Sequence, residues 1–184
     1  MPEIPTGKAL LDSPALIAAA GIDRGMTVAD LGCGTLGHFT FPAAHAVGGE
    51  GKVYAVDIIK SALAAIESRA GVEGVDNVQT LWGDLEMPGG VRLDDGSIDL
   101  AFLVNVASLV KKSPQVADQI KRILREGGRL LAIDWMQGTG GFGPSDDHRV
   151  PAEEIRDIFT DLGFTVKKEF DAGPNHWGLL LEKV

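Results

Sequence analysis

Ten residues constrain this chain more than any others. Val28-Ala29-Asp30-Leu31-Gly32-Cys33-Gly34-Thr35-Leu36-Gly37 is an apolar run that ends at an acid and then carries three glycines. The residues from His38 to Val47 follow with the pattern of a helix. Strand, glycine-rich turn and helix in this order is an arrangement that holds nucleotide-bearing cofactors. Glycine permits the positive φ of a tight turn and lets a ligand approach bare backbone. The N–H groups of the turn and of the helix start are then expected to face that ligand. Gly32, Gly34 and Gly37 match the dinucleotide spacing G-x-G-x-x-G, which an ordinary tight turn can also produce.

Two acids add to the pattern. Asp30 stands two residues before Gly32, where dinucleotide enzymes usually carry an apolar strand residue. Asp57 ends the next apolar run, Val53-Tyr54-Ala55-Val56, and lies 20 positions past Gly37. A carboxylate there can reach the hydroxyl pair of a ribose from the end of the neighbouring strand.

With these residues in place, the chain resembles the class I S-adenosylmethionine-dependent methyltransferases, of the ubiquinone/menaquinone-biosynthesis-like group. Asp30-Leu31-Gly32-Cys33-Gly34-Thr35 is similar to the first motif of that family, and Val53-Tyr54-Ala55-Val56-Asp57 to its second-strand acidic motif. One departure is visible: Leu36 stands where the family usually has a third glycine, and Gly37 comes one residue later. The resemblance implies S-adenosyl-L-methionine as cofactor, held by Asp30, Gly32, Cys33, Gly34, Asp57, Ile58, Gly83, Asp84, Leu85 and Asn105. Asp84 stands where the family places an acid that accepts a hydrogen bond from the adenine amino group; a turn-forming Gly-Asp pair is the other reading. The implied fold is α/β, a Rossmann-like three-layer α/β/α sandwich. Its seven-stranded sheet is mostly parallel, with an antiparallel C-terminal strand.

Residue patterning agrees with that architecture. Strands are expected over 27–31, 52–56, 75–81 and 97–104, with a fifth ending near Asp134-Trp135. Helices are expected over 37–47, 60–70, 113–125 and 151–162. Two last strands, 164–170 and 177–184, read as a hairpin about Ala172-Gly173-Pro174-Asn175. A dehydrogenase sheet does not normally finish so, whereas the class I methyltransferase sheet does. Near the start, Pro2 and Pro5 exclude a helix before about Thr6. Ser13 as N-cap and Pro14 in the first turn then begin one that Gly21 ends. One domain over residues 1–184 is expected, with 1–24 as a helical extension.

Composition narrows the partners. A net charge of −9 argues against a nucleic-acid groove and against an anionic membrane surface. One cysteine, Cys33, allows no disulfide framework, and a cytoplasmic setting is expected with neither leader nor spanning segment in view. Four histidines, His38, His45, His148 and His176, match no zinc spacing, so no metal is expected. The partner is then a small-molecule methyl acceptor, with the oligomeric state left open.

Methyl transfer from a sulfonium is an in-line displacement, so the protein's part is position and exclusion of water rather than a nucleophile. Asn105, after the fourth strand, is placed where methyl and acceptor would meet. The sequence there, Asn105-Val106-Ala107-Ser108, lacks the Pro-Pro-aromatic continuation of amino-group methyltransferases acting on nucleic acid. Within the long segment 136–150, His148 is the candidate general base and Arg149 a candidate substrate contact, though both could brace the helix that follows. Trp135 could wall the acceptor pocket or belong to the core. Two other functions remain in view. One is an NAD-binding oxidoreductase, from the glycine spacing. The other is an S-adenosylmethionine-binding module without catalysis.

Overall fold

A computed structural model describes residues 10–139 and 143–184. The expectation for Pro2 and Pro5 lies outside the described residues. Seven strands form one sheet in the order β3-β2-β1-β4-β5-β7-β6. They are β1 (Thr27–Leu31), β2 (Lys52–Asp57), β3 (Val78–Trp82), β4 (Ile98–Val104), β5 (Leu124–Trp135), β6 (Phe164–Gly173) and β7 (His176–Lys183). The helices are α1 (Ser13–Ala19), α2 (Thr40–Val47), α3 (Lys60–Glu73), α4 (Ala107–Lys112), α5 (Pro114–Ile123) and α6 (Ala152–Asp161). β1, β2, β3, β4 and β5 run parallel to one another; β7 is antiparallel to both β5 and β6. This is the expected Rossmann-like, mostly parallel seven-stranded sandwich with its antiparallel C-terminal strand.

The central strands are apolar on both faces because helices cover both faces. Ala29 and Leu31 of β1 point into a core shared with Val110, Ile120 and Phe159 from α4, α5 and α6. Val28, one residue out of phase, faces the opposite core with Ile17 of α1 and Ala43 and Val47 of α2. Side chains alternate along a strand, so Asp30 lies on the α2 face, beside Thr40. β1 pairs with β2 on one side and β4 on the other. The chain therefore winds in opposite directions from β1, which opens a crevice at the carboxyl ends of β1 and β4.

Several boundaries differ from expectation. The chain between Gly34 and Phe39 turns rather than continuing as helix, and α2 starts only at Thr40. α3 runs on to Glu73 and stops at Gly74, whose φ of 65° ends it in the left-handed region. Val75 is thereby drawn into the connection, and β3 begins at Val78. Asp12, not Ser13, caps α1: its side chain accepts the Ala15 N–H at 3.2 Å. Ser113 precedes α5 without capping it, its hydroxyl going instead to the Gln115 side chain at 2.8 Å. α5 ends at Ile123, because Leu124 and Arg125 already belong to β5. The terminal hairpin is tighter than expected, with only Pro174 and Asn175 between β6 and β7, and Asn175 turns the chain at φ 63°.

Candidate active site

The glycine turn leaves β1 at the crevice. Gly32, Gly34 and Gly37 all have positive φ, at 82°, 62° and 55°. The turn does not present its first amides to a ligand, which corrects the expectation above. Gly32 N–H and Cys33 N–H both donate to the Val56 carbonyl, at 2.8 and 3.1 Å, and Gly34 N–H donates to Asp57 Oδ2 at 2.9 Å. What the glycines supply is room. A side chain at Gly32 would lie 3.1 Å from Val106, and one at Gly37 would meet Ile66 at 2.6 Å and Phe41 at 2.8 Å. At Gly34 the same space is open. Gly37 is thus needed for close packing of the turn on α2 and α3. Leu36, at the family's usual glycine position, is exposed at the rim of a cavity.

Two cavities meet at Gly32. The larger, about 340 Å³, lies over the ends of β2 and β3 and is lined by Gly34, Asp57, Ile58, Ile59, Gly83, Asp84 and Leu85, closed on the other side by Val106 and Leu109. Asp57 is nearly buried and anchored, with Oδ1 accepting Ile59 N–H and Oδ2 accepting Gly34 N–H, each at 2.9 Å. Each carboxylate oxygen has a second lone pair, enough to accept the two hydroxyls of a vicinal diol. Asp84 closes a local turn by accepting Glu86 N–H at 2.9 Å through Oδ1, so the turn-forming alternative is realised while it still borders the cavity. A side chain at Gly83 would press on Val56, 3.0 Å away. Ile58, Leu85, Val106 and Leu109 make this an apolar slot with acids at its ends.

The smaller cavity, about 210 Å³, lies on the α2 side and is bordered by Asp30, Cys33, Asn105, Phe39, Val104 and His176. Asp30 is buried and accepts the Thr40 hydroxyl at 2.6 Å. Burial pushes its carboxyl up to about 6, against the lowering effect of Thr40. Burial likewise raises the Cys33 thiol, with the Asp30 and Asp57 charges adding, so it stays a neutral wall residue rather than a nucleophile. Asn105 has φ 59°, a conformation that asparagine tolerates better than most residues, and its N–H donates to the Ile133 carbonyl at 2.8 Å. Immediately after it, Asp134 Oδ2 accepts the Ala107 N–H at 2.7 Å and so caps α4 from the neighbouring strand.

Three residues expected at the acceptor border neither cavity. His148 is solvent-exposed, its ring 2.9 Å from the Ser145 hydroxyl, and it borders neither cavity. Arg149 is buried and laces the loop together, donating to the carbonyls of Pro144, Met136 and Thr139. Trp135 is packed between His176, at a ring separation of 4.1 Å, and the backbone of Gly143, so it backs the cavity without bordering it. Conversely, Ile59, Val106, Leu109 and His176 border the cavities without having been expected to. Val106 and Leu109 belong to a segment read from sequence only for Asn105. His176 stood at the edge of an expected strand that began one residue later. Among the described residues no group of three or more acids, histidines or cysteines could hold a metal ion, and no helix is long and apolar enough to cross a membrane.

Residues 22–166 match the family described as a methyltransferase domain. An arsenite methyltransferase of Halobacterium salinarum is 31% identical over 120 residues, which is 65% of this chain and 30% of that protein. A demethylmenaquinone methyltransferase of Geobacillus stearothermophilus is 28% identical over 119 residues, 64% of this chain and 49% of that protein. The chain therefore spans less than half the length of these curated relatives. In fold it is similar to a SAM-dependent methyltransferase from Aquifex aeolicus, with a TM-score of 0.89 at 24% identity, covering 98% of this chain and 94% of that one.

Proposed function

Because the chain belongs to the methyltransferase-domain family, in its class I S-adenosylmethionine-dependent form, we propose that it transfers a methyl group from S-adenosylmethionine to a small-molecule acceptor. The observation that carries this is the pair of cavities joined at Gly32, one apolar and edged by Asp57 and Asp84, the other holding Asp30.

The donor set suits this cofactor. Asp57 would offer two acceptors to the ribose hydroxyls, the apolar walls Ile58, Leu85, Val106 and Leu109 would flank the base, and Asp84 would accept from its amino group. Asp30, in the adjoining cavity, would pair with the ammonium of the methionine part. Asn105, on the wall of the smaller cavity, would stand near the meeting of methyl and acceptor. When bound, the cofactor supplies a methyl carbon activated by an adjacent sulfonium. The chain's own task is to hold both partners in line and to keep water out.

The same geometry disfavours the dinucleotide alternative. A pyrophosphate needs free N–H groups at the turn. Here three successive amides, of Gly32, Cys33 and Gly34, are already bonded to Val56 and Asp57, and the acids nearby repel a phosphate. Calorimetric titration separates the two. We expect S-adenosylhomocysteine to bind and NADH not to; tight NADH binding without a response to S-adenosylhomocysteine reverses the assignment. Arsenite is a poor acceptor for this chain: a soft metalloid wants thiolates, and the single Cys33 is a buried neutral thiol. A screen of acceptors with cofactor bound but no turnover favours the binding-module alternative.

A further inference from the structure

The smaller cavity is walled by a buried base with an unused nitrogen. His176 opens β7 opposite Trp135, is fully buried, and lies against the indole. Its Nδ1 is 2.8 Å from the Pro174 carbonyl oxygen. A carbonyl only accepts, so Nδ1 carries the hydrogen and Nε2 the lone pair. Nε2 is buried and has no hydrogen-bond partner among the described residues, alone in this among their buried side-chain nitrogens and oxygens. Buried polar atoms are nearly always paired, and an exception points to a missing partner.

The surroundings define that partner. Burial first, and then the Arg149 charge, lower the imidazole's pKa; they outweigh the Pro174 carbonyl and Asp134, which raise it. The ring is therefore neutral at pH 7, an acceptor with no hydrogen to donate at Nε2. A carboxylate or phosphate finds nothing to bond there. Leu11, Phe39 and Val104, which line the same cavity, suit an apolar acceptor body, and its one acid, Asp30, is taken by the cofactor's ammonium on the reading above. A neutral apolar molecule bearing a hydroxyl satisfies both conditions.

Resting on the S-adenosylmethionine reading above, we propose that Nε2 of His176 takes the proton of the methyl acceptor, and that the acceptor is a phenol or enol. The oxygen's lone pair forms the new O–C bond, and the S–C bond breaks with its electron pair left on sulfur. The hydroxyl proton passes to Nε2, and the imidazolium gives it up once the methylated product leaves the cavity and water can enter. This assigns to His176 the general-base role expected of His148 from sequence.

The test uses protein labelled with nitrogen-15 at histidine, loaded with S-adenosylhomocysteine and titrated with 4-nitrophenol at about pH 6, where this phenol is mostly un-ionised and can donate its hydrogen. In the free protein, NMR is expected to show the hydrogen on Nδ1 and a bare Nε2. On titration the Nε2 resonance moves toward the hydrogen-bonded position and Nδ1 stays. H176F and H176Q are expected to lower 4-nitrophenol affinity about tenfold and to keep S-adenosylhomocysteine affinity within about twofold. A hydrogen on Nε2 in the free protein overturns the proposal. So does a loaded protein that does not bind 4-nitrophenol, or an Nε2 resonance that ignores it. Equal weakening of both ligands by the two variants reduces His176 to a packing role and also overturns it. Failure of S-adenosylhomocysteine itself to bind removes the cofactor reading instead, and is seen before any phenol is added.

Discussion

Asp57 and Asp30 are both acids beside the same turn, yet they are held in opposite ways. Asp57 accepts two backbone N–H groups, from Gly34 and Ile59. Replacing it removes both the proposed ribose contact and the tie between β2 and the turn. D57A is therefore expected to weaken S-adenosylhomocysteine binding by about 1.5–3 kcal/mol, the range for hydrogen bonds to a charged group. Calorimetry checks it, and unchanged affinity takes Asp57 out of the site. Asp30 is instead a strained acid, with its carboxyl raised to about 6. A carboxyl raised on folding binds its proton more tightly in the native state, so its stabilising effect is present below about pH 4 and lost as pH rises through 6. The cost of keeping it ionised at pH 8 is about 3 kcal/mol. D30N is expected to raise the melting temperature of the cofactor-free protein at pH 8 and to weaken cofactor binding. Wild-type affinity is expected to fall as pH drops below 6, where the partner of the cofactor's ammonium becomes neutral. A variant that melts no higher at pH 8, with affinity flat across pH 6, counts against both statements. The acids were legible from spacing alone. That the amides of Gly32, Cys33 and Gly34 point inward was not, because their acceptors, Val56 and Asp57, lie more than twenty residues away.

Long apolar runs mark their strands in the sequence to within a residue or so, whereas elements fixed by distant partners carry no local mark. β1, β2 and β4 are apolar runs long enough to announce themselves. α4 has only six residues, follows a residue at φ 59°, and takes its cap from Asp134 on another strand. No local pattern marks such a helix, so Val106 and Leu109 were missed with it. Its dependence on Asp134 is testable. Both oxygens of that carboxylate accept N–H groups, from Ala107 and Trp135, each at 2.7 Å. Asparagine would turn a donor toward one of those donors, so D134N and D134A are both expected to destabilise by about 1–3 kcal/mol. For a chain of this size that lowers the melting temperature by roughly 2–4 °C per kcal/mol. Since α4 closes one side of the larger cavity, S-adenosylhomocysteine affinity is expected to fall as well. Unchanged melting and affinity in D134A would show that α4 holds its place without the cap. His176 carries no local mark of a site residue for the same reason: its burial depends on the pairing of β7 with β5, which the hairpin alone does not reveal.

At the scale of the whole molecule, the winding of the sheet and the charge of the chain act on the same crevice. Strand order places the carboxyl ends of β1, β2, β3 and β4 side by side, and three of the four exits carry an acid: Asp30 beside Gly32, Asp57 and Asp84. Around them lies a chain of net charge −9. Such a field attracts cations toward the crevice and repels anions. S-adenosylmethionine has a net positive charge near neutral pH and S-adenosylhomocysteine has none, while the two share every contact except the sulfonium methyl. Salt therefore distinguishes long-range attraction from contact. The screening length shrinks from about 10 Å at 0.1 M to about 3 Å at 1 M, which silences charges beyond the crevice and spares those inside it. Stopped-flow association of S-adenosylmethionine is expected to slow several-fold across that range, with dissociation little changed. The homocysteine product is expected to respond only weakly. Equal slowing of both ligands would mean that the chain's acidity serves solubility and not capture, and the preference for a cationic cofactor would then rest on Asp30 and the sulfur's immediate neighbours alone.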